Sequence, residues 1–117
     1  MIVKYSQAAR VTTDKPKGGE GLMSGVSYVG PANRPENAKH CMVAENTLPV
    51  GGSIGFHSHP KDEEIYIILK GTGTYTDNDK SQHVLTVGDM TLCRQGESHG
   101  IANTGAEPLT FAAVVSE

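Results

Sequence analysis

The chain has 117 residues, a formal net charge of −3 at pH 7 and 37% hydrophobic residues, with two Phe, four Tyr and no Trp. That is the size of one domain with a modest core. Acidic and basic residues are mixed along it, which excludes the basic patch of a nucleic-acid groove, and no run approaches the roughly 18 apolar residues of a membrane-crossing helix.

The start, Met1-Ile2-Val3-Lys4-Tyr5-Ser6, has no apolar leader core behind a basic stretch, so a soluble cytoplasmic protein is expected. Gln7 to Val11 offers at most a short helical turn. Residues 12 to 21, with Pro16, Gly18, Gly19 and Gly21, read as a polar loop. Their glycines lack the G-x-G-x-x-G frame and the following helix of a phosphate cradle. The expected core of the single domain runs from about residue 22 to 116.

From there the glycines and prolines bound short runs rich in Val, Ile, Thr and Tyr, the pattern of an all-β sandwich or barrel. The predicted strands are Gly25 to Val29, His40 to Leu48, Ser53 to His57, Glu64 to Leu69, Gly73 to Asp77, Gln82 to Thr86, Thr91 to Arg94, His99 to Asn103 and Leu109 to Val115. Asp77-Asn78-Asp79-Lys80 reads as a hairpin tip. It lacks the Gly and Glu positions of a calcium loop. Cys41 and Cys93 stand far apart, outside any C-x-x-C pattern, and are expected as free thiols.

The chemistry concentrates in His57-Ser58-His59-Pro60-Lys61-Asp62-Glu63-Glu64. On a strand, His57 and His59 point to one face with their Cα atoms about 6.5 Å apart. Pro60 turns the chain, and a carboxylate at the start of the returning strand reaches the same point. Glu64 shares a face with Tyr66 and Ile68. Choosing Glu63 instead turns Ile65, Ile67 and Leu69 inward, and both faces are apolar enough for a buried strand, so parity leaves the two open. A third histidine, His99, follows in Gly96-Glu97-Ser98-His99-Gly100. Three imidazoles and a carboxylate suit one divalent transition metal, Mn, Fe, Co, Ni or Zn, rather than Ca or Mg. An octahedral ion on four protein ligands keeps two positions for a small ligand.

These stretches resemble the two motifs of the cupin superfamily. Gly51, His57, His59, Glu64 and Gly71 match the first motif in spacing, and Gly88, Gly96, His99 and Asn103 match the second. Arg94 stands where the family usually has Pro, a turn position rather than a ligand. The resemblance implies a double-stranded β-helix, or jelly-roll barrel, with His57, His59, Glu64 and His99 as metal ligands. It also selects Glu64 over Glu63. Small cupins of this kind are often dimers, so a homodimer is expected.

Other residues carry weaker expectations. Tyr66, on the Glu64 face, is the candidate catalytic side chain, its hydroxyl reaching a metal-bound ligand; a core tyrosine is the alternative. His40 starts a strand and is able to line the cavity, His83 is expected on the surface, and Arg94 or Glu97 offers a charge near the second motif. The function expected is a metal-dependent enzyme acting on a small oxygen-rich substrate such as a dicarboxylate (oxalate), an enol or a sugar acid, by decarboxylation, dioxygen cleavage or isomerisation. The alternative is a non-catalytic, metal-dependent small-ligand binding or sensor module.

Overall fold

The computed structural model describes residues 1–117. All nine expected strands form, most with ends within a residue or two of the prediction, and a tenth precedes them. In chain order they are β1 Ala9–Asp14, β2 Leu22–Val29, β3 His40–Leu48, β4 Ser53–Ser58, β5 Glu63–Lys70, β6 Gly73–Thr76, β7 Gln82–Leu85, β8 Met90–Cys93, β9 Ser98–Asn103 and β10 Leu109–Ser116. The only helical pieces are two 3₁₀ turns, Tyr5–Gln7 and Pro16–Gly18.

The strands make two antiparallel sheets. One has the order β1-β2-β3-β10-β5-β8 and the other β4-β9-β6-β7. This is the double-stranded β-helix. Between the sheets lie Leu48, Ile54, Tyr66, Ile68, Tyr75, Ile101, Leu109, Phe111 and Ala113. Strand β5 shows how the sequence builds it. Its β-branched residues favour a pleated strand, and Glu64, Tyr66 and Ile68 are buried while Glu63 and Ile67 are exposed. That settles which set turns inward.

Two departures from the sequence reading concern the N-terminal region. The helical turn lies earlier than expected, at Tyr5–Gln7, and the residues after it form β1, paired with β2 from Ala9↔Ser27 to Asp14↔Leu22. The sheet therefore begins ahead of residue 22. All six residues of β1 are exposed, so no burial pattern marked it; the free edge of β2 supplies its hydrogen bonds. The polar loop is also shorter than expected, and its Pro16 is buried where the second 3₁₀ turn packs against β4.

Residues that face one another across the larger sheet form rows. Val115 lies opposite both Met42 and Glu64, and Glu64 opposite Cys93. One row further in, Ala113 faces Ala44 and Tyr66. A carboxylate, a thiol and a methionine thus lie level at one end of the barrel, with the packed core beyond them. No helix is long and apolar enough to cross a membrane.

Candidate metal centre

Strand β4 reaches the site through a bulge. Ile54 pairs with Ile101 and His57 with His99, so Gly55 and Phe56 together oppose Gly100. An unbroken strand would alternate Ile54 inward and His57 outward. The extra residue changes the phase: Ile54 is buried in the core, Phe56 is exposed, and His57 turns inward. Gly55 is required there, because a Cβ would stand 2.1 Å from the Lys17 carbonyl oxygen.

His59 follows the end of β4 and is held by the turn between β8 and β9: its N–H donates to the Glu97 carbonyl at 2.9 Å and its carbonyl accepts from Gly96 N–H at 2.7 Å. The register brings His99 directly opposite His57, and β5 supplies Glu64 from the other sheet. The ligand atoms of His57, His59, Glu64 and His99 lie within 4.8 Å of one another. His59 and His99 Nε2 are 3.1 Å apart, and Glu64 Oε1 lies 3.2 Å from the first and 3.0 Å from the second.

Each imidazole is oriented through its other nitrogen. His57 Nδ1–H donates to the Gly55 carbonyl at 2.7 Å, and His59 Nδ1–H to the Asp62 carboxylate at 2.7 Å. His99 Nδ1 meets the Tyr75 hydroxyl at 2.8 Å. With Nδ1 engaged on every ring, the Nε2 lone pairs are left for the centre. Three ring nitrogens and a carboxylate oxygen this close repel unless a proton or a cation lies among them. The donor set suits a borderline divalent ion, and the cluster is able to hold one.

Electrostatics follow from burial and these contacts. Burial alone would raise Glu64, but hydrogen bonds from His59 and His99 outweigh it and bring it down to about 2. The hydrogen bond with Glu64 raises His59, whereas burial lowers His57. Tyr66 is pushed well up by burial and by the nearby Glu64 carboxylate, so its phenol stays protonated.

The weaker sequence candidates separate clearly. Tyr66 is 2% exposed, stacks on His99 at 4.9 Å and packs against Phe111; it also lines a cavity of about 700 Å³ shared with His57, His59 and Glu64. His40 does not line that cavity. It is exposed and bonds to Ser116 Oγ, because the register shift at Val115/Ser116 leaves Cys41 as an extra residue and sets His40 opposite Ser116, out of phase with Met42. His83 is exposed, as expected, beside Ser81. Glu97 accepts from Arg94 N–H at 2.9 Å and braces a turn, and Arg94 is exposed beside it. Asn103 holds the β9 end by donating to the Leu48 and Glu107 carbonyls. Cys41 and Cys93 are free, and burial pushes Cys93 up to about 11.

Three residues of the site were not singled out from sequence. Asp62, three residues after His59, was legible as a possible orienter. Tyr75 had no local signal, since only the pairing of β6 with β9 brings it to His99. Asn46 faces the cavity solely through the alternation of β3.

The chain matches known proteins over most of its length. The cupin domain family model matches residues 44–115, and the chain belongs to the cupin family. It is 34% identical over 115 residues to a Thermotoga maritima protein named oxalate-binding protein, covering 98% of this chain and 93% of that one. Among solved structures, it superposes with a TM-score of 0.88 on the crystal structure of a predicted oxalate decarboxylase from Thermotoga maritima, at 33% identity, covering 99% of this chain and 98% of the other. A Klebsiella pneumoniae protein with a double-stranded β-helix domain gives a TM-score of 0.61 at 26% identity, covering 76% and 83%.

Proposed function

We propose that His57, His59, Glu64 and His99 coordinate one divalent transition metal ion through three Nε2 atoms and a carboxylate oxygen, and that this centre binds a small oxygen-rich acid. The observation that carries the reading is the engagement of all three Nδ1 atoms, which leaves Nε2 on each ring for the ion. Once bound, the ion supplies Lewis acidity and free coordination positions for a chelating ligand. The chain's own residues hold that ligand. Tyr66 presents a protonated hydroxyl on the cavity wall beside His57, His59 and Glu64. The kinship with a protein named oxalate-binding protein supports an acid as the ligand.

Two readings of the outcome follow. In the first, the centre converts its acid, with Tyr66 as the proton donor. In the second, it binds without turnover. The second is favoured by the engagement of the other carboxylates: Asp62 is bound to His59, and Glu97 braces a turn. Elemental analysis of the purified chain is expected to find about one Mn, Fe, Co, Ni or Zn per chain, and His59→Ala to lose it while keeping the β signal in circular dichroism. Calorimetry with oxalate and product analysis on the metal-loaded protein then separate the readings. Full metal content in His59→Ala overturns the ligand assignment.

The homodimer belongs to the same reading. Ile67, Leu69, Met90 and Leu92 are each at least 40% exposed on the outer face of β5 and β8, with Ile67 opposite Met90. A second copy seated on this face would cover them, and sedimentation of Leu92→Lys against the native chain tests it.

A further inference from the structure

We infer that the ligand of this centre is an amphipathic acid, with a chelating carboxylate head at His57, His59 and Glu64, an apolar body against Met23, Met42 and Ile54, and a polar group placed on Asn46. The inference rests on the metal-centre reading above and specifies its ligand.

The first argument is size. The cavity holds about 700 Å³, within the range that takes a drug-sized molecule. A two-carbon dicarboxylate fills only the part beside the histidines. An adjoining cavity of about 260 Å³ runs on towards β1 and β2, and the two share Met23, Met42 and Asn46. The two cavities thus adjoin along Met23, Met42 and Asn46, one beside the cluster and the other towards β1 and β2.

The second argument is the chemistry of the walls. Beyond the cluster the lining turns apolar, with Met23, Met42, Ile54 and Val115. Met42 and Val115 lie in the same sheet row as Glu64, so the apolar surface starts level with the cluster. Two methionines give a wall that adapts to the body laid on it. Lys17 is the one Lys or Arg on the lining and attracts an acid.

The third argument is Asn46. It is 9% exposed, and its carboxamide makes no side-chain hydrogen bond within the chain. Thr91 Oγ1 is the one fully enclosed side-chain atom without a partner, so the Asn46 carboxamide is open to the cavity and available to a ligand. It lines both cavities. Its neighbour across β2 is Gly25, where a Cβ would stand 2.8 Å from Asn46 Oδ1. The strand pair thus makes room for a polar group that nothing in the chain engages. A hydroxyl, carbonyl or amide on the ligand body fits it.

The test uses the full chain loaded with Mn²⁺ and titrated calorimetrically with straight-chain 2-oxo acids from pyruvate to 2-oxooctanoate, with oxalate alongside. Affinity is expected to tighten about threefold to fourfold per added methylene. A terminal hydroxyl on the longer acids is expected to gain a further factor, and Asn46→Leu to remove roughly fivefold of that gain, measured against the methyl-terminated acid of the same length in the same variant, with the metal content retained. Asn46→Ser serves if the leucine variant does not fold. Bound metal with affinities flat in chain length, or with oxalate tightest, overturns this inference and leaves the metal centre standing. A flat series with Met23→Lys altering the sedimentation coefficient overturns it in favour of a second copy over the chamber. Absence of bound metal overturns the underlying reading instead.

Discussion

His99 has no solvent exposure and lies between two tyrosines, Tyr66 stacked on its ring and Tyr75 bonded to its Nδ1. Its ring orientation is set by the second contact. Tyr75→Phe keeps the packing and deletes the hydroxyl, so metal affinity is expected to fall by about tenfold or more with little change in the far-ultraviolet spectrum, as measured by competition with a chromophoric chelator. Glu64 gives a pH signature. Its folded value is brought to about 2 from an ordinary 4.5, because hydrogen bonds from His59 and His99 overcome the opposing effect of burial. A depressed carboxylate stabilises the fold above its unfolded value, and that contribution is lost as pH falls through the folded value. Thermal melts of the metal-free protein are therefore expected to drop between pH 4.5 and 2, and Glu64→Gln to lose that part of the dependence. His59 acts in the opposite sense, since a raised value favours the fold at low pH and its contribution fades as pH rises through the folded value.

Among the elements, β4 carries the most consequence per residue. One bulge allows Ile54 to fill the core and His57 to face the cluster, three positions later. The bulge tolerates only glycine at 55, because the 3₁₀ turn Pro16–Gly18 presses the Lys17 carbonyl against it. The same glycine's carbonyl orients His57. Gly55→Ala is expected to cost about 1–3 kcal/mol by overpacking, read in chemical denaturation, and to weaken metal binding as well. A variant that lost stability alone would detach the bulge from the site. Strand β1 contributes differently. It extends the sheet past the core, and its Val11 and Thr13 help to wall the cavities.

At the scale of the molecule, the cluster joins the two sheets. His57 and His99 stand on the four-stranded sheet and Glu64 on the six-stranded one. An ion held by all of them ties the open end of the barrel, while the apolar core closes the other end independently. Chelation is thus expected to lower the melting temperature without unfolding the chain at room temperature. Free metal at a hundredfold excess over its Kd is expected to add about 2.7 kcal/mol, seen as a reversible rise in melting temperature when the ion is restored.

Much of this protein was determined by sequence alone. Two motifs in register specified the four converging residues, and glycine-bounded runs of β-formers specified nine strands, because ligand spacing and side-chain alternation are local properties of the chain. Strand alternation alone left Glu63 and Glu64 open, since either face of β5 is apolar; the motif resemblance selected Glu64, and Glu64 is the one that turns inward. The exposed strand β1, the bulge that turns His57 inward, the hydroxyl of Tyr75 on His99 and the carboxamide of Asn46 in the cavity were decided only by tertiary structure. Each depends on a partner supplied by a distant segment: the edge of β2, the Lys17 turn, the β6–β9 pairing and the glycine opposite on β2. A sequence pattern records what a residue needs from its neighbours in the chain, and those four positions were shaped by neighbours that only folding brings near.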